Sequence, residues 1–361
     1  MKIRKAILTG GGRATRLRPI THTMNKHLIP LANKAMIFYA IEKAVEAGVE
    51  EIYININPEE TQLQKYIGDG GHWGVKIEFF VQEGGPQGIA HVVKCAEKFI
   101  GEEPFMFFLS DNILLGSLVD MFKEFEEKNL DCMLALSKVA DPERFGVPVF
   151  NKDKTAIVDV LEKPQQPPND FAVTGMYLYK STSFFKAFDH IKKSARGEYE
   201  ISDIHSYFLK NGYTVGWREI TGWWKDTGKP EDLIIANQLL LDKMPASSFV
   251  ITPKVDSSVV EGNVHIGGGT SIGKNVKLIG PVLIAENSTL ENCVIGPHVT
   301  VGTGCVIKNA TVTNSIVFSG TTIDCPIKVT QSIVGANAKV TSGTVEGYHR
   351  LILGDHTLIQ V

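Results

Sequence analysis

In the last third of the chain an aliphatic residue returns every sixth position, at Ile266, Ile272, Leu278, Ile284 and Leu290. A second ladder holds Val264, Val276, Val282, Val294, Val306 and Val312, again on multiples of six. An α-helix turns once per about 3.6 residues and cannot keep that period on one face. An antiparallel sandwich expects strict alternation with turns roughly every 8–12 residues. A triangular solenoid satisfies the period, because each side takes one hexad and points one aliphatic side chain inward. That is the left-handed parallel β-helix of hexapeptide repeats, and at about 18 residues per coil the repeat predicts around five coils.

The first part of the chain has a different texture. Up to Met244 short apolar runs alternate with amphipathic stretches. KAILTG, EIYINI, KIEFFVQ, PFMFFLSD and DCMLALSKV read as buried strands, while residues 35–47 and 118–127 read as helices. This alternation predicts an α/β fold with a mixed, mainly parallel Rossmann-like sheet, and ligands at the strand carboxyl ends. The length of 361 residues suits two domains, and the change of texture divides them at 1–245 and 246–361. A net charge of −3 argues against a general nucleic-acid binder. The apolar run near the start is too short for a signal-peptide core, and nothing reaches a membrane span, so a cytoplasmic location is expected with no membrane partner. The five cysteines form no CxxC pair and read as small buried thiols.

Chemistry concentrates in residues 8–30, LTGGGRATRLRPITHTMNKHLIP. Three glycines after a strand let backbone N–H groups approach phosphate oxygens. Arg13, Arg16, Arg18 and Lys26 follow with no acidic residue among them. The spacing is neither a P-loop nor GxGxxG, and a glycine turn followed by solvated arginines accounts for it equally well. Asp111 in FFLSDN and Asp226 in WWKDTG are strand-end carboxylates able to hold a hard cation, or alternatively turn caps. In VLEKP, Pro164 is expected to hold Lys163 extended and so aim it at a phosphate, beside Glu162. The plainer alternative is a surface ion pair. RGEYEISD adds Arg196 in an acidic stretch.

Together these segments resemble the sugar-phosphate nucleotidyltransferases. The signature of that family is a Gly-rich loop, then TRLRP, then Lys and Pro; here Thr15, Arg16, Leu17, Arg18 and Pro19 precede Lys26 and Pro30. FFLSDN, FGV, LEKP, AVTG, RGEYEISD and WKDTG follow in family order. Within the family the chain is most similar to the long form of glucose-1-phosphate thymidylyltransferase, on ITHTMNKHLIPLANKAMIFYAIE, WWKDTGKPEDLIIANQLLL and the closing HRLILGDHTLIQV. A hexapeptide β-helix tail belongs to that form.

The resemblance implies transfer of a nucleotidyl group from dTTP to glucose 1-phosphate, with Mg²⁺ as cofactor and pyrophosphate released. It assigns Arg16, Lys26 and Asp111 to catalysis, and Asp111 with Asp226 to the metal. Gly10, Gly11, Thr15, Gln82 and Gly88 fall to the nucleotide. Gly146, Glu162, Lys163, Thr174, Gly175 and Arg196 fall to the sugar phosphate. Two departures stand out. The loop reads GGGRATRL, one residue longer than usual, with Ala14 where glycine is expected, and Ser110 replaces the usual glycine before Asp111. Alanine is strained if the loop needs a positive φ at that position, and Arg13 becomes either an extra phosphate ligand or a solvent-facing side chain.

Other readings differ in substrate or class. UTP- or GTP-using relatives making UDP-glucose or GDP-mannose share most of the motifs. An acyltransferase β-helix would use one of His265, His298, His349 and His356, which otherwise read as ordinary histidines. A non-catalytic subunit sensing a sugar nucleotide would not need Arg16, Lys26, Asp111, Lys163 and Asp226 together. The exposed strand edges of a solenoid's end coils predict a homo-oligomer.

Overall fold

The computed structural model describes residues 2–12, 14–220, 224–253, 259–341 and 347–360, so Arg13 lies outside the described residues. Contacts divide the chain into two compact units, Met1–Gly12 with Ile37–Asp226, and Arg13–Met36 with Thr227–Val361.

The first unit is a nine-stranded mixed sheet. Strand β1 (Lys5–Thr9) lies between β2 (Glu51–Ile56) and, on its other side, a third parallel strand, Phe105–Phe108. In chain order the remaining strands are β3 (Lys76–Val81), β4 (the Phe105–Phe108 strand), β5 (Asn112–Leu114), β6 (Cys132–Lys138), β7 (Gly146–Phe150), β8 (Ile157–Glu162), β9 (Phe171–Tyr179), β10 (Val215–Glu219) and β11 (Trp224–Asp226). The order across the sheet is β8–β7–β9–β4–β1–β2–β3, with β6 also on β9 and β10 parallel to β6. The central strands bury their apolar runs on both faces, Phe105, Met106 and Phe107 being fully inaccessible. The parallel character expected from the alternation holds from β4 to β3. It ends at β9, which runs antiparallel to β4, β6 and β7. Strands β5 and β11 form a separate two-stranded antiparallel ladder.

Behind the sheet, helix Ile201–Lys210 sets His205 against Tyr179, with 2.6 Å between Nε2 and the phenol oxygen. Both are buried, and burial holds the imidazole down to about 3.

In the second unit, three six-stranded parallel sheets form the faces of the β-helix. Val264 pairs with Val282, Val282 with Val299 and Val299 with Ser315, so successive coils take 18, 17 and 16 residues. This shortening explains two departures from the sequence pattern. Among the described residues each face has six rungs rather than about five, because the repeat continues where the hexads blur. Ile266, Leu278, Ile284 and Leu290 point inward as the period requires, but beyond Asn292 the inward residues come one position early, at Ile295, Val301 and Ile307. Val294 and Val306 are therefore only half-buried. The corners are turned by asparagines at positive φ, among them Asn275, Asn292 and Asn309. Their side chains form a ladder along one edge, Asn275 donating to Asn292 (2.9 Å), Asn292 to Asn309 (3.3 Å) and Asn309 to Asp324 (2.8 Å).

Segment 13–36 belongs to this unit, although in sequence it interrupts the sheet of the first. It folds as three short turns, Thr15–Leu17, Ile20–His22 and Lys26–Leu28, and buries Leu17, Ile20 and Ile29. The Thr23 hydroxyl donates to Asp355 (2.8 Å) and the Asn33 amide to the Val301 carbonyl (3.1 Å). On helix Pro230–Lys243, the Asn237 side-chain oxygen accepts from the Ala32 N–H (2.8 Å) and the Thr300 hydroxyl (3.3 Å). Ala14 has φ 43° and ψ 39°, the left-handed geometry that makes alanine strained at that position.

Candidate active site

In the first unit the sequence-assigned residues gather at strand ends. Gly10 follows β1, and its N–H donates to the Asn55 carbonyl (2.8 Å). A Cβ there would lie 2.9 Å from that oxygen, so strand packing alone requires glycine. Gly11 is crowded by the side-chain oxygens of Asn55 and Asn57, and the Gly12 N–H donates to Asn57 (3.2 Å).

The two aspartates come from segments over a hundred residues apart and meet through the β5/β11 ladder, in which Asp226 is paired with Asn112, the residue after Asp111. Asn112 ties the corner together: its amide donates to Asp111 (2.8 Å), and its oxygen accepts from the Trp224 indole (2.8 Å). Ser110 is fully buried, and its N–H donates to the Thr9 hydroxyl (2.9 Å), a bond that the usual glycine would make as well. Arg144 lies 3.8 Å from Asp226 and also pairs with Asp141 (2.5 Å). Its neighbour Phe145 packs edge-on against Trp224. Two carboxylate groups suit Mg²⁺, which takes one or two protein carboxylates and completes its shell with water and substrate phosphate oxygens. Among the described residues no group of three or more His, Cys, Asp or Glu is placed to hold a metal ion.

A second cluster joins β7, β8 and the approach to helix Ile201–Lys210. Gly146 is in register with Glu162 at one side and Val173 at the other. The Glu162 carboxylate lies between Lys163 (3.3 Å) and Arg196 (3.4 Å), and Arg196 is braced by Glu200 through two hydrogen bonds (2.8 and 3.1 Å). Lys163 is not extended. Its φ is 45°, and its N–H donates to the Phe145 carbonyl (3.0 Å). The following proline bars the right-handed region, and the cross-strand bond to Phe145, one residue beyond the Glu162–Gly146 pair, holds the backbone in the left-handed one. Thr174 is buried and donates its hydroxyl to the Ala135 carbonyl (2.9 Å), while Gly175 has no room for a Cβ against Leu109 and Asn112. Gly175 thus packs against the residue after Asp111, and Val173, two positions earlier, pairs with Gly146.

A third cluster lies at the end of β3. The Gln82 amide donates to the Gly88 carbonyl (3.2 Å) and lies 3.1 Å from Nδ1 of His91. That carbonyl can only accept, so it fixes which end of the amide faces it, and the Gln82 oxygen points elsewhere. Burial, then the charge of Lys193, hold His91 below its usual range. At φ 95°, Gly88 leaves a Cβ only 2.5 Å from the Tyr199 carbonyl. Arg144, Asn112, Trp224, His91 and Glu200 were missed in the sequence. Asn112, Trp224 and Glu200 stand inside the quoted motifs FFLSDN, WWKDTG and RGEYEISD, and Arg144 adjoins FGV, but pairing across the fold had no signal there.

Thr15, Arg16 and Lys26 lie in segment 13–36 of the second unit. Arg16 is exposed in the first turn, and the N–H of His27, next to Lys26, is capped by Asn25 (2.9 Å). Among the histidines of the β-helix, His298 pairs with Asp242 (2.8 Å) and His265 lies 3.4 Å from the Val250 N–H.

Residues 5–243 match the nucleotidyl transferase family, and residues 278–360 match the GMPPB C-terminal domain. The chain belongs to the nucleotidyl transferase family. This nucleotidyl transferase is 35% identical to the low-salt glycan biosynthesis nucleotidyltransferase Agl11 of Haloferax volcanii, over 99% of this chain and 100% of that protein. It is 34% identical to a glucose-1-phosphate thymidylyltransferase of Streptomyces griseus, over 99% of each chain. A Bacillus anthracis structure, described as a candidate glucose-1-phosphate thymidylyltransferase in complex with sucrose, superposes with a TM-score of 0.61 at 34% identity. It covers 69% of this chain and 97% of its own. Like these proteins, this nucleotidyl transferase is an enzyme. Among its described residues no helix is long and apolar enough to cross a membrane.

Proposed function

We propose that this nucleotidyl transferase joins dTTP to glucose 1-phosphate, releasing pyrophosphate and forming dTDP-glucose. The observation that carries the reading is the β5/β11 ladder, which sets Asp226 beside the turn holding Asp111. Full-length similarity to glucose-1-phosphate thymidylyltransferase supports the substrate pair. The family matches over 5–243 and 278–360 support a catalytic domain at 1–245 and a β-helix domain at 246–361.

Both reactants are anions, so the work of the protein is to bring like charges together and aim them. Lys163 and Arg196 take the sugar phosphate, with Glu162 between them to accept hydrogen bonds from sugar hydroxyls. Gln82 offers an oxygen acceptor to the base, and Gly88 holds the backbone close. Arg16 and Lys26 take the triphosphate and stabilise the departing pyrophosphate. Asp111 and Asp226 are the residues to hold Mg²⁺, which supplies charge neutralisation and a template for phosphate oxygens. The attacking phosphate oxygen is already ionised at neutral pH, so the reaction calls for no general base.

A pyrophosphate-release assay crossing dTTP, UTP, GTP and CTP with glucose, mannose and N-acetylglucosamine 1-phosphates tests the reading. Fastest turnover with dTTP and glucose 1-phosphate is expected; no release with any pair would end it. A UTP- or GTP-using relative making UDP-glucose or GDP-mannose shares most of the motifs and is the second reading, which the same panel separates.

A further inference from the structure

The segment carrying Arg16, Arg18 and Lys26 is held on the second unit in its middle and near its end. In its middle, Asp355 in the last described coil accepts from the Thr23 hydroxyl through one carboxylate oxygen (2.8 Å). Through the other it accepts from the Ala336 N–H of the preceding coil (2.8 Å). Beside it Gly354 leaves no slack against Pro19, since a Cβ there would lie 3.2 Å from the Pro19 carbonyl oxygen. The Thr21 hydroxyl donates to the Ala14 carbonyl (2.9 Å), so the turn with Arg16 is closed onto the same anchored stretch. Near the end of the segment, Asn33 is fixed to Val301 and Ala32 to Asn237.

An exposed arginine on a loop has many rotamers and little reason to wait in one place. Here the loop backbone rests on stacked parallel coils, and the bridging carboxylate is itself fixed by a backbone N–H. A group aimed at a transferring phosphate loses effect steeply with small misplacement. We propose that the β-helix is a positioning platform for the phosphate-binding segment, and that Asp355 is a positioning residue for the triphosphate. Thr23 is its partner, and Gly354 is the contact that lets the two surfaces close. The proposal rests on the roles given above to Arg16 and Lys26.

The test uses the full-length chain as wild type, Asp355→Ala, Asp355→Asn, Thr23→Val and the double variant Thr23→Val with Asp355→Ala. Three quantities are measured: kcat and KM for each substrate by pyrophosphate release, amide hydrogen exchange of peptides covering 14–30, and the thermal midpoint. The expected result for Asp355→Ala is a tenfold or greater loss in kcat/KM for the triphosphate, a sugar-phosphate KM within twofold of wild type, and faster exchange in 14–30 with the rungs from 264 to 317 unchanged. The double variant is expected to be no worse than Asp355→Ala alone, and Asp355→Asn, which keeps an oxygen acceptor, to recover most of the loss. Wild-type exchange over 14–30 in Asp355→Ala overturns the proposal, as does an equal loss for both substrates with additive effects in the double variant. If the wild-type protein releases no pyrophosphate with any pair, the functional reading falls, and the exchange measurement still decides whether the platform holds the segment.

Discussion

At the scale of single residues, charge placement sets the expected outcomes. Removing one well-aimed electrostatic group commonly costs about 3–4 kcal/mol of transition-state stabilisation. Arg16→Ala and Lys26→Ala are therefore each expected to lower kcat by about a hundredfold or more, and steady-state kinetics with saturating Mg²⁺ checks it. Asp111→Asn and Asp226→Asn are expected to shift the magnesium titration of activity to much higher concentration. Gly88→Ala brings a methyl group against the Tyr199 backbone at positive φ, with expected destabilisation of about 2 kcal/mol or more, read as a lowered thermal midpoint. These residues stand out in the sequence because glycines, basic residues and strand-end carboxylates follow in a distinctive order. Their partners were not. Arg144 beside Asp226, Asn112 between the aspartates and Glu200 behind Arg196 depend on pairings across the fold. The left-handed Lys163 was not foreseen because the rule for residues before proline excludes one region without saying which other the cross-strand bond to Phe145 will favour.

At the scale of elements, two features carry consequences for stability. His205 has a folded pKa of about 3 against about 6.5 when unfolded. Between those values the unfolded chain binds more protons, so this stability is fully present above about pH 6.5 and declines as pH falls, by about 1.4 kcal/mol per unit. Urea melts at pH 7.5 and pH 5 are expected to differ by about 2 kcal/mol from this group, and in His205→Phe that part of the slope disappears whatever the starting stability. On the β-helix, Asn292 both turns a corner at positive φ and hydrogen-bonds along the ladder. Asn292→Ala loses both, with an expected cost of about 1–3 kcal/mol in chemical denaturation. The hexad was legible because an inward aliphatic on each face is obligatory. The phase slip after Asn292 was not, because a coil one residue shorter keeps its hydrogen bonds and leaves only a shifted valine as its trace.

At the scale of the molecule, the change of texture near 245 was plain in the sequence, and the family matches fall on either side of it. The assignment of segment 13–36 to the second compact unit was not, since it depends on contacts such as Thr23 with Asp355, separated by 332 positions. Homo-oligomer formation through the β-helix is the expected solution state, and light scattering checks it: a clean 39.6 kDa species excludes it.

The distance along the chain between Thr23 and Asp355 also orders events at the ribosome. The arginines and lysine proposed for the phosphates are made more than three hundred residues before the carboxylate that receives Thr23. A nascent chain can complete its sheet and most of its coils while those cations still lack their resting place. Synthesis therefore has to run past Asp355 before that resting place exists.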